Sequence, residues 1–218
     1  MTRYKIGFVD ENVQQVDMFE RKLRDHFDVI GYDIHEGLSI DELIDQIYES
    51  DIDMLMVDYN MVESGKIYFN GDEVVRKYEE LKPRFPMIIF TNFNEQAFPK
   101  VDNPNTLYKK EFAIQERDKF VQTLEKNIRI YRNYIDKRKA AIDKLLEKSS
   151  KETLNGKEKH ELTQAQLELL GLDKRANEVP VNLISDQKID NLEKTARDAE
   201  AFLESLKDVE NDDAAIKK

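Results

Sequence analysis

The sequence predicts an α/β fold, a five-stranded parallel doubly wound sheet, followed by an all-α helical or coiled-coil extension. Two observations over residues 1–112 carry the first half. Short apolar runs alternate with stretches whose apolar residues recur at helical spacing. The runs are also continuous rather than alternating, as expected of strands covered on both faces. A third observation carries the second half: from residue 113 onward no run reads as a strand, and apolar residues recur every three or four positions between charges of both signs. With 7 glycines and 5 prolines in 218 residues, the chain is also poor in the turn formers of an all-β architecture.

Tyr4-Lys5-Ile6-Gly7-Phe8-Val9 is the first strand, ending at Asp10-Glu11. Val16, Phe19, Leu23 and Phe27 fall at helical spacing and predict a helix over 13–27. Val29 to Ile34 is the second strand. Ser39-Ile40-Asp41-Glu42 has the pattern of a capping box, in which serine and glutamate each satisfy a backbone N–H of the first turn, and it opens a helix through Ile47. Met54-Leu55-Met56-Val57, ending at Asp58, is the third strand, and Gly71 to Leu81 is helical. Pro86-Met87-Ile88-Ile89-Phe90, ending at Thr91, is the fourth strand. Residues 93–105 are poorly patterned and lead to a fifth strand over Thr106 to Lys109.

Beyond it, Val121, Leu124, Ile128, Tyr131, Ile135, Ile142 and Leu145 keep an alternating three-four spacing, with Arg138 at the one missed step. Nothing breaks helicity from about 112 to about 149, which predicts one long helix with a coiled-coil-like seam. Asn155-Gly156 marks a turn, and 157–170 is a shorter helix closed by Gly171 in the left-handed cap position. Residues 172–183 read as irregular, and Ser185 caps a last helix to about 209 along Ile189, Leu192, Ala196, Ala199, Leu203 and Leu206. The expected division is one domain over 1–115 and a helical output or oligomerisation region over 116–218.

The absence of cysteine excludes disulfides, thiolate metal sites and cysteine nucleophiles. No apolar run approaches the roughly 18 residues of a membrane span. The start, Met1-Thr2-Arg3-Tyr4-Lys5, leads into a short apolar stretch broken by Asp10, unlike a secretory signal. A soluble, cytoplasmic protein is expected. The net charge of −11 is unevenly divided: residues 1–112 hold 23 Asp and Glu against 13 Lys and Arg, and the rest hold 22 against 21. An acidic half disfavours phosphate-backbone binding and favours cations or basic protein partners, so neither nucleic acid nor membrane is expected as a partner. His26, His35 and His160 show no ligand spacing, and Lys137-Arg138-Lys139, with acids nearby, reads as a solvated face.

In an open parallel sheet, ligands bind beyond the carboxyl ends of the strands. Those ends are Asp10-Glu11, Asp58, Thr91 and Lys109-Lys110. Carboxylates brought together repel one another, and a divalent cation relieves the repulsion. Mg²⁺ suits an oxygen-only site of few carboxylates completed by water. With a lysine and a hydroxyl nearby, the set suits phosphoryl transfer, one carboxylate acting as nucleophile.

Five motifs in this order, Val9-Asp10-Glu11, Val57-Asp58-Tyr59-Asn60-Met61, Asn70-Gly71-Asp72-Glu73, Phe90-Thr91-Asn92 and Tyr108-Lys109-Lys110-Glu111-Phe112, make residues 4–115 similar to the receiver domain of two-component response regulators. The resemblance implies a flavodoxin-like receiver fold in which Asp58 is the phosphoacceptor. It implies that Asp10 and Glu11 hold Mg²⁺ together with Asp58 and the main-chain carbonyl of Asn60, and that Thr91 is the switch hydroxyl. The family's lysine falls on Lys109 or Lys110; Glu111 replaces the proline that would set the register.

Two further departures stand out. The segment Val62 to Phe69 is longer than usual, which would cover the site or restrict which kinase reaches it. The stretch between Thr91 and the lysine is short, so the family's fourth helix is expected to be reduced or lost. Tyr108 is the nearest match to the switch aromatic. The implied function is that of a response regulator, not an enzyme beyond its own phosphorylation and dephosphorylation chemistry. Its partners would be a sensor histidine kinase or phosphotransfer protein and an unidentified downstream protein, and its output protein–protein contact with possible homodimerisation through the helical region. The alternative is a phosphorylation-independent receiver-like scaffold.

Overall fold

The computed structural model describes residues 3–91 and 106–175. Strands β1 (Tyr4–Val9), β2 (Phe27–Gly31), β3 (Met54–Asp58), β4 (Met87–Phe90) and β5 (Leu107–Tyr108) form one sheet in the order β2-β1-β3-β4-β5, every pair parallel. This is the doubly wound, flavodoxin-like order, with its topological switch between β1 and β3. The helices are α1 (Val13–Leu23), α2 (Ile40–Glu49), α3 (Gly71–Leu81), α4 (Lys110–Gln115), α5 (Arg117–Ser149) and α6 (Gly156–Leu170).

Successive residues of the central strands face opposite sides, so each continuous apolar run supplies two cores. On one face, Val9, Leu55, Val57, Met87 and Ile89 pack with Leu43, Ile44 and Ile47 of α2 and Val74, Val75 and Tyr78 of α3. On the other, Ile6, Phe8, Met54, Met56, Ile88 and Phe90 pack with Phe19 and Leu23 of α1 and with Phe120, Val121, Leu124 and Ile128 of α5. The start of the long helix is therefore the second cover of the sheet. Seam residues Val121, Leu124 and Ile128 are consumed there within the chain. The compact unit runs to Arg175, past the position near 115 at which the sequence reading divides the chain.

Helix starts follow their sequence signals. Ser39 and Glu42 form the reciprocal cap of α2, Asn70 and Glu73 that of α3, and Asn155 and Glu158 that of α6. Other boundaries differ from the sequence reading. The first helix stops at Leu23, and Phe27 begins β2, buried at 1% exposure. A residue four beyond Leu23 continues a helical stripe and equally opens an inward-facing strand, so spacing does not distinguish the two. β2 ends at Gly31, where its register with β1 runs out; Ile34 reaches the core from an irregular segment instead.

The helix expected without a break over 112–149 is two helices bent at Glu116 (φ −116°, ψ 49°). No residue there breaks a helix; the bend is held by α1 and the turn after it. Lys22 Nζ donates to the Ile114 carbonyl (3.3 Å), Arg117 Nε donates to the Lys22 carbonyl (2.7 Å), and Arg117 pairs with Asp25 (3.1 Å). Gly171 is right-handed (φ −69°) rather than left-handed. The chain leaves α6 through an ordinary turn and is held by contacts beyond it.

Helices in a parallel sheet run back against the strands, so α5 travels from the strand C-terminal edge to the opposite edge. There Tyr131 meets Phe85 (5.6 Å between ring centroids), and Arg132 pairs with Asp53 (2.5 Å) and lies over the Tyr4 ring. Past that edge α5 and α6 form an antiparallel hairpin, with Arg138 paired to Glu168 (2.8 Å) and Lys148 to Glu158 (2.5 Å). After α6, Leu172 is buried and the chain clasps the C-terminal ends of α2 and α3. The Asp173 carboxylate accepts from Tyr48 Oη (3.1 Å) and pairs with Lys82 (3.4 Å), the Lys174 N–H donates to the Leu81 carbonyl (3.0 Å), and Arg175 pairs with Asp45. Residues 93–105 and the last helix expected over 185–209 lie outside the described residues.

Because the first turns of α5 are core, Phe120→Ala lowers the free energy of unfolding by about 3–5 kcal/mol in chemical denaturation, as for a fully buried aromatic. Leu146→Ala, further along the same helix and 44% exposed, changes it by no more than about 0.5 kcal/mol.

Candidate functional site

The register sets the site. Val9 lies opposite Val57, Asp58 opposite Phe90 and Phe90 opposite Tyr108, so Asp10, Asp58 and Thr91 emerge side by side at the C-terminal ends of three adjacent strands. Thr91 is tied to the fifth strand by its N–H, which donates to the Tyr108 carbonyl (3.0 Å). Asp10, Asp58 and Thr91 are all buried, at 2%, 8% and 3% exposure. They line a cleft of roughly 240 Å³ together with Glu11, Asn60 and Lys110.

Lys110, the first residue of α4, joins the acids. Its Nζ donates to Asp10 Oδ2 (2.9 Å) and pairs with Asp58 Oδ1 (2.6 Å). The second oxygen of each carboxylate takes a backbone N–H: Asn12 donates to Asp10 Oδ1 (2.9 Å) and Asn60 to Asp58 Oδ2 (3.0 Å). The choice between the two lysines is thereby made. Lys109 is exposed, precedes α4 and does not line the cleft. Because Lys110 begins a helix, its side chain swings back over the strand ends. Tyr108 is half-buried and stacks on Phe112 (6.1 Å).

Gly71 seats α3 against the same strand end. A β-carbon there would collide with the Asp58 carbonyl, and the Gly71 N–H donates to the Tyr59 carbonyl (3.0 Å). Only glycine permits this approach, which is the physical content of the Asn70-Gly71 motif.

The electrostatics follow from burial. Desolvation pushes the Asp10 carboxyl above its ordinary range, although the Lys110 hydrogen bond and charge pull the other way. Desolvation also raises Glu11, with the charges of Asp10 and Asp58 adding to it. For Lys110, burial disfavours the ammonium, but Asp58 and Asp10 outweigh it and hold the group charged, above its ordinary value. Glu11 Oε2 is buried without a hydrogen-bond partner.

Such an orphaned acceptor beside two carboxylates is suited to a hard cation. Among the described residues no group of three or more acidic or histidine side chains converges on one point. Mg²⁺, however, uses one or two carboxylates and keeps its waters. Glu11, with its unpartnered oxygen, lines the same cleft as Asp10, Asp58 and Asn60.

Four further residues line the cleft: Asn12, Gln15, Tyr59 and Glu63. Gln15 lies in the first turn of α1, which starts just beyond the end of β1. Glu63 sits in the unpatterned loop after Asp58, where no periodicity marks it.

The architecture is that of the doubly wound, flavodoxin-like fold. No family model and no curated protein matches this sequence. Among solved structures, the chain is similar to a response regulator receiver protein from Sinorhizobium medicae WSM419, at 19% identity and TM-score 0.45, covering 56% of this chain and 94% of that one. It is similar to the signal receiver domain of an HD domain-containing protein from Pseudomonas fluorescens Pf-5, at 13% identity and TM-score 0.47, covering 61% and 93%. An adenylate cyclase from Rhodopirellula baltica is similar to the same extent, at 19% identity and TM-score 0.46, covering 61% and 94%. Function follows from the cleft, not from these likenesses. Among the described residues, no helix is long and apolar enough to cross a membrane.

The raised Glu11 gives a pH signature with a definite sign. The folded chain holds this proton more tightly than the unfolded one, so the group's stabilising contribution is complete below its ordinary value of 4.5 and is lost as pH rises through the raised value. In chelator-treated buffer, Glu11→Gln therefore unfolds at a higher temperature than wild type at pH 7, and the gap closes below pH 4.5.

Proposed function

We propose that this chain is a phosphoacceptor response regulator, phosphorylated on Asp58 in a Mg²⁺-dependent reaction by a sensor histidine kinase or phosphotransfer protein. The observation that carries this reading is Asp58 itself, buried at the end of β3 with one oxygen on the Lys110 ammonium and the other on the Asn60 N–H. A carboxylate oriented at both oxygens and set beside a fixed cation is placed as a nucleophile for phosphorus. In the transfer, an Asp58 oxygen forms the new P–O bond while the donor's P–N bond breaks and the neutral imidazole leaves. Lys110 offsets the charge of the phosphoryl oxygens, and Thr91, on the adjacent strand, donates its hydroxyl to one of them. Asp10, Glu11, Asp58 and Asn60 would hold Mg²⁺, which supplies further charge neutralisation to the phosphoryl oxygens.

On this reading the protein is not an enzyme beyond its own phosphorylation and dephosphorylation. The helical half, nearly neutral in charge, works through protein contacts rather than DNA. A cytoplasmic location and a homodimer through helical surface outside the sheet core belong to the same proposal.

Incubation with acetyl phosphate and Mg²⁺ followed by intact mass measurement tests it. Wild type gains one phosphoryl group, chelation prevents the gain, and Asp58→Asn shows none. Lys110→Met retains little of it, whereas Lys109→Met matches wild type. No gain by folded wild type would leave the phosphorylation-independent scaffold as the better reading.

A further inference from the structure

The loop after Asp58, one of the departures from the receiver pattern, is seated in the core. Met61, Ile67 and Phe69 are buried in the α2–α3 side of the core. Between them the 3-10 turn Val62–Ser64 is closed by Gly65, left-handed at φ +71°, whose N–H donates to the Val62 carbonyl (3.0 Å). Ser64 Oγ donates to the Met61 carbonyl (2.9 Å), and the Val62 N–H donates to Asn70 Oδ1 (3.4 Å). This turn carries Glu63 to the cleft that holds Asp58.

The cleft's acids differ in what engages them. Asp10 and Asp58 share Lys110, and Glu11 is partly withdrawn from solvent. Glu63 is exposed, and among the described residues no hydrogen bond or ion pair engages it. It is the carboxylate in the cleft with both a free acceptor and open access to water.

We propose that Glu63 is the general base for hydrolysis of phosphorylated Asp58, an inference that rests on the phosphoacceptor reading above. A water oxygen attacks phosphorus while Glu63 takes a proton from that water. The P–O bond to Asp58 breaks, its electron pair returns to the Asp58 carboxylate, and inorganic phosphate leaves. Lys110 remains on Asp58 and stabilises it as the leaving group. The long loop then serves as a timer, positioning a base that sets how long the phosphorylated state lasts.

The sign of the effect separates this role from one of charge alone. A negative charge beside an anionic phosphoryl group repels an incoming hydroxide, so removing a mere charge would speed hydrolysis. Removing a base slows it, typically by a factor of 10² or more for a well-placed group. Wild type, Glu63→Gln and Glu63→Ala are phosphorylated with acetyl phosphate and Mg²⁺, freed of donor by desalting, and followed by intact mass at pH 7. Expected are decays at least about 10-fold slower in both variants, with added formate restoring Glu63→Ala but not Glu63→Gln, whose side chain still fills the position. Decay at the wild-type rate or faster overturns the role of Glu63, as does slowed decay that formate leaves unchanged. Failure of wild type to take up phosphate overturns the phosphoacceptor reading itself, and this inference with it.

Discussion

One ammonium group holds the cleft together. Lys110 sits between the carboxylates of Asp10 and Asp58, which end neighbouring strands and would otherwise face each other buried and unopposed. Burying an ammonium is costly alone, but two carboxylates and the backbone N–H groups on their other oxygens offset that cost. The same contact settles much of the surrounding geometry. It draws the first turn of α4 over the sheet edge, which places the end of β5 and, through the Thr91 N–H bond to Tyr108, the end of β4. Removing either acid would leave a buried charge half paired, so the three residues act as a unit.

Much of this was legible in the residues alone. Continuous apolar runs mark the strands, and the four strand-end positions point to the cleft. Gly71 was legible only as part of a motif; its reason, the approach of α3 to the Asp58 carbonyl, lies in the packing. What remained hidden depended on contacts between elements distant in sequence. The bend at Glu116 has no breaker residue and arises from Lys22, Asp25 and Arg117. Phe27 satisfies a helical and a strand pattern equally, so only its pairing with Tyr4 decides between them. The lysine register was undecided because Glu111 stands where a proline would have marked it, and the helix start at Lys110 resolves it. Glu63 had no signal, since a loop has no period.

The apolar stripe of the long helix shows why a seam is not by itself an interface. Its first members lie under the sheet, Tyr131 packs on Phe85 at the far edge, and Leu145 is buried further along the hairpin. One continuous spacing thus serves the sheet, the Phe85 contact and the hairpin in turn. A heptad-like pattern records only that one side of a helix is covered, and neither the partner nor the number of partners can be read from it.

The clasp of Asp173, Lys174 and Arg175 on α2 and α3 changes the mechanical character of the hairpin. An α-helix of 33 residues is about 50 Å long. Fixed only under the sheet, it would behave as a lever arm, turning a small tilt at its root into a displacement of several ångströms at its tip. Here the return leg comes back to the body of the protein and is fastened a second time, through Tyr48, Lys82, Leu81 and Asp45. Rod, return leg and body form a closed triangle, and a triangle cannot shear without losing a side. The hairpin is a braced strut. Any swing of it must first undo charged pairs at the sheet edge remote from Asp58, so the hairpin's stiffness depends on a handful of half-exposed polar contacts.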